Sequence, residues 1–400
     1  MRVCAIDTED TMSHINADVQ VIDADTHLTP VPDLWSSRAP KEYKDRVLHV
    51  ENRDGQQMWV VDGAVFGPVR GGGVVDRHNR KFPFKESIAI WGNEEVHEGA
   101  YDTRKRLQVM DECGIYRQVL FPNSIGLGGQ DLGLAKDPIV RRMCVEIYND
   151  ASAELQASSN MRFLPMPVLP AWDVALCVKE TERMAAMGMR GVNMTCDPQD
   201  LGAPDLASPK WDPLWEACES LNMPVHFHIG ASITAMNFYG QYFWPSQDEY
   251  VKPAIGGSML FIGNARVLIN TIFAGIFDRF PKLRMVSVES GVGWIPFILE
   301  TMDYELFENA PAQFARLRRK PSEYFKDHWH ATYWFERNNG NLQGLIDSVG
   351  EDNVLFSTDF PHPTCLYPAP LDSIADRMST LRDSTRRKVL GENAAKLYRL

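Results

Sequence analysis

Short, nearly continuous apolar and β-branched runs recur along the chain. Each is closed by turn residues, and between them apolar positions return at helical spacing. Eight runs are expected as strands: residues 19–25 (VQVIDAD), 117–123 (RQVLFPN), 162–169 (RFLPMPVL), 191–195 (GVNMT), 224–230 (PVHFHIG), 284–290 (RMVSVES), 331–336 (ATYWFE) and 354–359 (VLFSTD). Runs apolar on both faces fit parallel strands covered on both sides. Eight of them alternating with helices predict an α/β fold, a (β/α)8 TIM barrel. Helices are expected over residues 101–113, 173–187 and 211–221. The second stops at Gly188 and the third opens with Asp212-Pro213, residues that favour helix ends.

Two stretches break the alternation. Residues 28–99, after the first strand, are rich in Gly, Pro and charge and carry the run Arg70-Gly71-Gly72-Gly73. Residues 231–257, after the fifth, hold Phe238, Tyr239, Tyr242, Phe243, Trp244 and Tyr250. Long insertions in a barrel are expected to form lids, pocket walls or subunit contacts at its mouth. The aromatic stretch therefore predicts a pocket wall or the contact of a homodimer.

Composition narrows the class. With 44 % hydrophobic and 24 % charged residues, all 400 residues are expected to form one large domain, 1–400. A net charge of −12 argues against nucleic acid or an anionic membrane as partner. The seven cysteines are dispersed without a CxxC pair, which suggests free thiols in a reducing compartment. No apolar run approaches the ~20 residues that span a bilayer. Residues 1–18 are acidic and lack an export signal, so a cytoplasmic location is expected.

The strand ends carry the chemistry. The first ends in Asp23-Ala24-Asp25-Thr26-His27, the fifth in His226-Phe227-His228, the sixth in Glu289 and the eighth in Asp359. Alternate strand residues point the same way, so Asp25 with His27 can present two groups to one ion, and at least one of His226 and His228, spaced alike, can face the barrel axis. Singly, each has a plainer reading: a hydrogen-bonded structural histidine, or an aspartate closing a turn. Their joint placement at the carboxyl ends of three otherwise apolar strands favours a metal site, because barrel enzymes keep their chemistry at that end.

Three motifs in order carry a family resemblance: Ile22-Asp23-Ala24-Asp25-Thr26-His27, Pro224-Val225-His226-Phe227-His228-Ile229-Gly230 and Leu355-Phe356-Ser357-Thr358-Asp359-Phe360-Pro361-His362. The chain resembles the amidohydrolase-related family that includes aminocarboxymuconate semialdehyde, γ-resorcylate and 5-carboxyvanillate decarboxylases. The resemblance implies Asp25, His27, His228 and Asp359 as ligands of one divalent ion. It also marks a departure. Many relatives have a histidine at the end of strand six, an acid/base in some decarboxylases, where this chain has Glu289-Ser290-Gly291. His226 and His330 are candidates to take that histidine's place.

Two carboxylates and two imidazoles suit Zn²⁺ or Mn²⁺ and leave room for water or substrate. Two reactions are then open. One is hydrolysis of an amide, ester or lactone by metal-activated water. The other, which the named relatives favour, is non-oxidative decarboxylation of an aromatic or unsaturated organic acid. In either, Asp359 is the expected proton carrier, and Glu289 is a general acid/base or a group that orients a ligand. A barrel that only binds ligand is a third reading, disfavoured because all four ligand positions hold competent side chains. Trp35, Phe121 and Trp294 suggest an aromatic mouth. Arg70, Trp294 and His330 are the candidate substrate contacts, with Arg70 either gripping a carboxylate or remaining a solvated loop residue.

Overall fold

The computed structural model describes residues 19–239 and 244–400, so the expectations for residues 1–18, Tyr242 and Phe243 fall outside the described residues. In chain order the strands are β1 (Ile22–Leu28), β2 (His49–Arg53), β3 (Gln56–Val61), β4 (Ala64–Pro68), β5 (Arg117–Pro122), β6 (Phe163–Pro165), β7 (Val192–Asn193), β8 (Val225–His228), β9 (Met285–Val288), β10 (Trp329–Tyr333) and β11 (Val354–Phe356). Eight of these are the predicted runs, and all pair in parallel. They form the ladders β1-β5-β6 and β11-β10-β9-β8-β7.

The two ladders do not join into one continuous closed sheet. They meet at two isolated parallel bridges, Val168 with Asn193 and Thr26 with Phe360. At the second seam His27 N–H donates to Phe360 O at 2.8 Å and Asp359 N–H to Asp25 O at 3.0 Å. The strands thus follow one another in chain order around the ring, with two lightly bonded seams.

Ile22, Ala24, Val119, Phe121, Leu164, Val286, Val288 and Leu355 form the apolar interior, with Tyr398 of the last helix packed against them. The outer helices begin where the chain offers caps. The Asp102 side chain accepts from Arg104 and Lys105 N–H ahead of helix Thr103–Glu112, and Asp173 accepts from Leu176 N–H ahead of helix Val174–Ala186.

β1 holds an irregularity that the alternation does not reveal. Asp23 pairs with Gln118 but Thr26 pairs with Leu120, so β1 has one residue more than its partner there. A bulge of this kind flips the facing of everything beyond it. Ala24 faces the interior and Asp23 faces Gln118, yet Asp25 and His27 also turn into the barrel mouth.

Between β1 and the first helix, β2, β3 and β4 form a separate antiparallel sheet. Its Trp59 and Val61 share a second apolar cluster with Trp35 and Val140. Trp35 is fully buried there and donates from Nε1 to Cys144 O at 2.9 Å, so it is a core residue and not part of the mouth. Phe238, Trp244 and Tyr250 of the aromatic stretch lie on the surface. Val251–Phe273 is, by length and composition, apolar enough to cross a membrane, contrary to the expectation that no run was. A turn divides it into helices Val251–Leu260 and Ala265–Phe273, and the second buries Val267, Leu268 and Ile272 against the barrel. Among the described residues the cysteines are free and buried.

Candidate metal centre

Six ionisable side chains converge at the carboxyl ends of the strands. Ligand atoms of Asp25, His27, His228 and Glu289 lie within 4.8 Å of one another, as do those of His27, Glu289, Asp359 and His362. His228 Nε2 is 3.4 Å from Asp25 Oδ1 and 3.3 Å from Glu289 Oε2. His27 Nε2 is 3.7 Å from Asp25 Oδ1, 3.5 Å from Asp359 Oδ1 and 3.9 Å from Glu289 Oε2. The four predicted ligands do not make one compact set by themselves. Glu289 belongs to both groups, and Asp359 joins through His27, Glu289 and His362.

The residues fit a cation. Both oxygens of Asp25, both of Asp359, and Nε2 of His27 and of His228 are buried without a hydrogen-bond partner. Buried polar groups of this kind are normally satisfied, and six orphaned atoms gathered in one cluster call for a shared partner. The histidines are turned for the task. His228 Nδ1 is 2.8 Å from Ile229 O, and since a carbonyl can only accept, Nδ1 carries the proton and Nε2 offers a lone pair. His27 Nδ1 is oriented likewise toward Pro122 O at 3.4 Å.

Packing three carboxyl groups into a buried space shifts their proton affinity. Burial raises Glu289 to about 8, with His228 opposing and Asp25 reinforcing. Asp359 is held well above the usual carboxylate range by burial and by Glu289 and Asp25. Burial raises Asp25 as well, against the pull of His228. For His228, burial favours the neutral ring but the Asp25 carboxylate outweighs it, and its affinity rises. Glu289 (φ 56°) and Asp359 (φ 60°) both adopt left-handed backbone, uncommon for residues with a Cβ and strained by of order 1–3 kcal/mol each. Thr332 Oγ1 accepts from Glu289 N–H at 2.8 Å and helps to hold that turn.

Beside the cluster lies a cavity of about 280 Å³ walled by Trp59, Phe66, Arg70, Asn123 and Asp131. His362 connects the two. It stacks on His27 at 3.6 Å and its Nε2 is 2.8 Å from Asn123 Oδ1. The glycine run brings the loop close. Gly72 (φ 68°) accepts from Asn123 Nδ2 at 3.0 Å, and a Cβ on Gly72 would lie 2.0 Å from that nitrogen. Arg70, anchored by a bond from Nη1 to Ile90 O at 2.9 Å, is among the residues that line the cavity.

Two expected site residues are elsewhere. His226 is fully buried, with Nδ1 2.9 Å from Val192 O and Nε2 2.9 Å from Tyr398 Oη, so neither nitrogen is available. His330 is the second residue of β10, one residue pair below the metal layer, and lines a cavity at the opposite end of the barrel. Trp294 donates from Nε1 to Ser290 O, 3.0 Å away and next to Glu289, and packs against the main apolar core. Phe121 does reach the site, 5.1 Å from the His228 ring.

Sequence reasoning passed over Asp23, Asn123 and His362. His362 stood in the third motif, three residues after Asp359, and that spacing was its only signal. Asp23 is fully buried and ties the seam: it accepts from Thr358 N–H (2.9 Å), Thr358 Oγ1 (2.6 Å), Gln118 Nε2 (3.1 Å) and Asp25 N–H (3.3 Å).

Comparisons with known proteins agree with this picture. A family model for amidohydrolases matches residues 22–400. Among curated proteins, the gamma-resorcylate decarboxylase of Polaromonas sp. is 25 % identical over 311 residues, covering 74 % of this chain and 87 % of that one. Among solved structures, an amidohydrolase from Mycobacterium avium subsp. paratuberculosis aligns with a TM-score of 0.72 at 20 % identity, covering 95 % and 99 % of the two chains. A dihydroxybenzoic acid decarboxylase from Polaromonas sp., with bound manganese and the inhibitor 2-nitroresorcinol, aligns at 0.61 and 18 % identity, covering 96 % and 97 %.

Proposed function

We propose that this chain, which belongs to the amidohydrolase family, removes CO2 non-oxidatively from an aromatic or unsaturated organic acid. The observation that carries the reading is the set of orphaned, buried ligand atoms beside a cavity with aromatic walls and an arginine. The decarboxylase relatives support it.

Asp25, His27, His228 and Glu289 would hold one divalent ion, Mn²⁺ or Zn²⁺. When bound, such an ion supplies positive charge that orients a substrate carboxylate and its neighbouring oxygen. Arg70 contributes a guanidinium for an anionic oxygen, and Trp59 and Phe66 cover the apolar face of the substrate. Burial, with Glu289 and Asp25 close by, raises the proton affinity of the Asp359 carboxyl above the usual carboxylate range, so it is the group suited to carry a proton. It delivers that proton to the carbon that loses CO2. The electrons of the broken C–C bond stay on that carbon and form the new C–H bond, and water reprotonates Asp359.

The test is isotopic. With hydroxylated aromatic acids in D2O, the purified metal-loaded enzyme is expected to release CO2 and place deuterium on the carbon that bore the carboxylate. Hydrolysis of amides, esters or lactones, with label from H2¹⁸O in the product and no CO2, would overturn this function.

A further inference from the structure

A second cavity, of about 520 Å³, opens at the amino-terminal ends of β8 to β11, on the opposite end of the barrel from the metal centre. Its lining includes Lys282, Arg284, Lys326, His330, Lys396 and Arg399, with Asp327 and Asp352 as the acids. That is a local excess of cations on a chain whose net charge is −12. The acids offset it only in part: Asp327 pairs with Arg319 and also acts on Arg284, and Asp352 pairs with Lys388 at 2.9 Å. Among the described residues, Lys282, Arg284, Lys326 and Lys396 have no carboxylate within ion-pair distance. Glu219 accepts the Lys282 backbone N–H and leaves its ammonium untouched. Half-buried Arg284 makes one bond, 3.3 Å from Nη1 to Leu283 O. His330 Nδ1 is buried without a partner, and burial together with Arg284, His226 and Lys396 keeps that ring neutral.

Like charges gathered in a concave surface repel one another and focus a positive potential that a counter-ion relieves. The volume suits a molecule of metabolite size. We propose that this cavity binds a small oxyanion with at least two negative charges, a phosphate or polycarboxylate group, held by Arg284, Lys326 and Lys396. The His330 ring supplies a further polar contact on the inner wall.

Calorimetric titration of the full, metal-loaded chain at low ionic strength, with inorganic phosphate and separately with succinate, tests this. At least one is expected to bind, and the tighter of the two identifies the group. The double variant Arg284→Ala/Lys396→Ala is expected to bind it at least about tenfold more weakly, with its metal content unchanged. His228→Ala, altered only at the metal centre, is expected to bind it as the parent does. Absence of binding by both anions, parent-like binding by the double variant, or loss of binding in His228→Ala would each overturn the site.

Discussion

Replacing Asp23 with alanine removes the acceptor at the seam where β1 meets β11. The carboxyl takes four hydrogen bonds, two of them from Thr358 at 2.9 and 2.6 Å. Gln118, which donates to it, in turn accepts from Arg106 Nη1 at 3.1 Å, and both Asp23 and Arg106 are fully buried. Arg106 also donates to His27 O, so the network reaches the backbone of a metal-site residue. Asp23 is the chief negative charge acting on that guanidinium. Asp23→Ala therefore strands several buried donors and uncovers a buried cation. Stripping one partner from a buried charge network costs about 3–5 kcal/mol, a large fraction of the roughly 5–15 kcal/mol that holds a native state together. Asp23→Asn keeps an amide oxygen but turns an NH2 toward donors, so about 1–3 kcal/mol is expected. A urea melt should show a lower midpoint at unchanged slope, and hydrogen exchange should quicken at the His27, Thr358 and Asp359 amides. If Asp23→Ala stays within about 0.5 kcal/mol of the parent, the size of a neutral surface change, the seam does not depend on this network.

Three further outcomes are expected. His228→Ala should lose metal on dialysis, whereas His226→Ala, which only breaks bonds to Val192 and Tyr398, should keep it and melt at lower temperature; elemental analysis after dialysis decides, and the reverse order would mean the two roles are exchanged. Asp359→Asn should retain metal and lose turnover by at least ~10²; near-parent turnover with metal bound would remove Asp359 as proton carrier. Without metal, burial raises the proton affinities of Asp25, Glu289 and Asp359 above their unfolded values, Glu289 to about 8. Raised carboxyl affinities contribute stability at low pH that is lost as pH rises through the folded values. The depressed His27 and His362 act in the opposite sense only below about pH 6.5. Thermal midpoints of metal-free protein should thus fall from about pH 6.5 to about 8, and added Mn²⁺ should restore them; a flat or rising metal-free profile would refute the burial argument.

Much of the architecture was legible because parallel barrel strands are covered on both faces and read as apolar runs. Ionisable residues at their carboxyl ends stood out against that background, and Asp25, His27, His228, Glu289 and Asp359 all lie in one cluster. What escaped was set by tertiary geometry. The β1 bulge depends on register with β5, and no local pattern encodes it. The alternation rule applied to His226 and His228 gives the right face but not the depth, so both looked available. His330 was placed just before its strand. The strand begins two residues earlier, at Trp329, which puts His330 level with Val286 near the floor. Asn123 and His362 come together from positions 239 residues apart.

Depth along the strands, more than facing, sorts the chemistry of this barrel. Register sets His226, Val286 and His330 level across β8, β9 and β10, and sets His228 level with Val288 one inward layer higher. At the lower level, Tyr398 from the last helix reaches in to bond His226 and stacks on it at 5.7 Å, and burial lowers that imidazole to about 4, so it stays neutral and structural. At the upper level no backbone or hydroxyl group is supplied to His228 Nε2, and Asp25 and Glu289 face it instead. The same residue type two positions apart thus becomes floor or ligand according to what the neighbouring elements bring. The apolar side chains of Phe121, Leu164, Val286, Val288 and Leu355 fill the interior around both levels. A two-residue slip of β8 would leave the inward face unchanged but deliver His226 to the acids and His228 to solvent-side loops. The Tyr398–His226 bond, which only the present register permits, therefore fixes the height of His228.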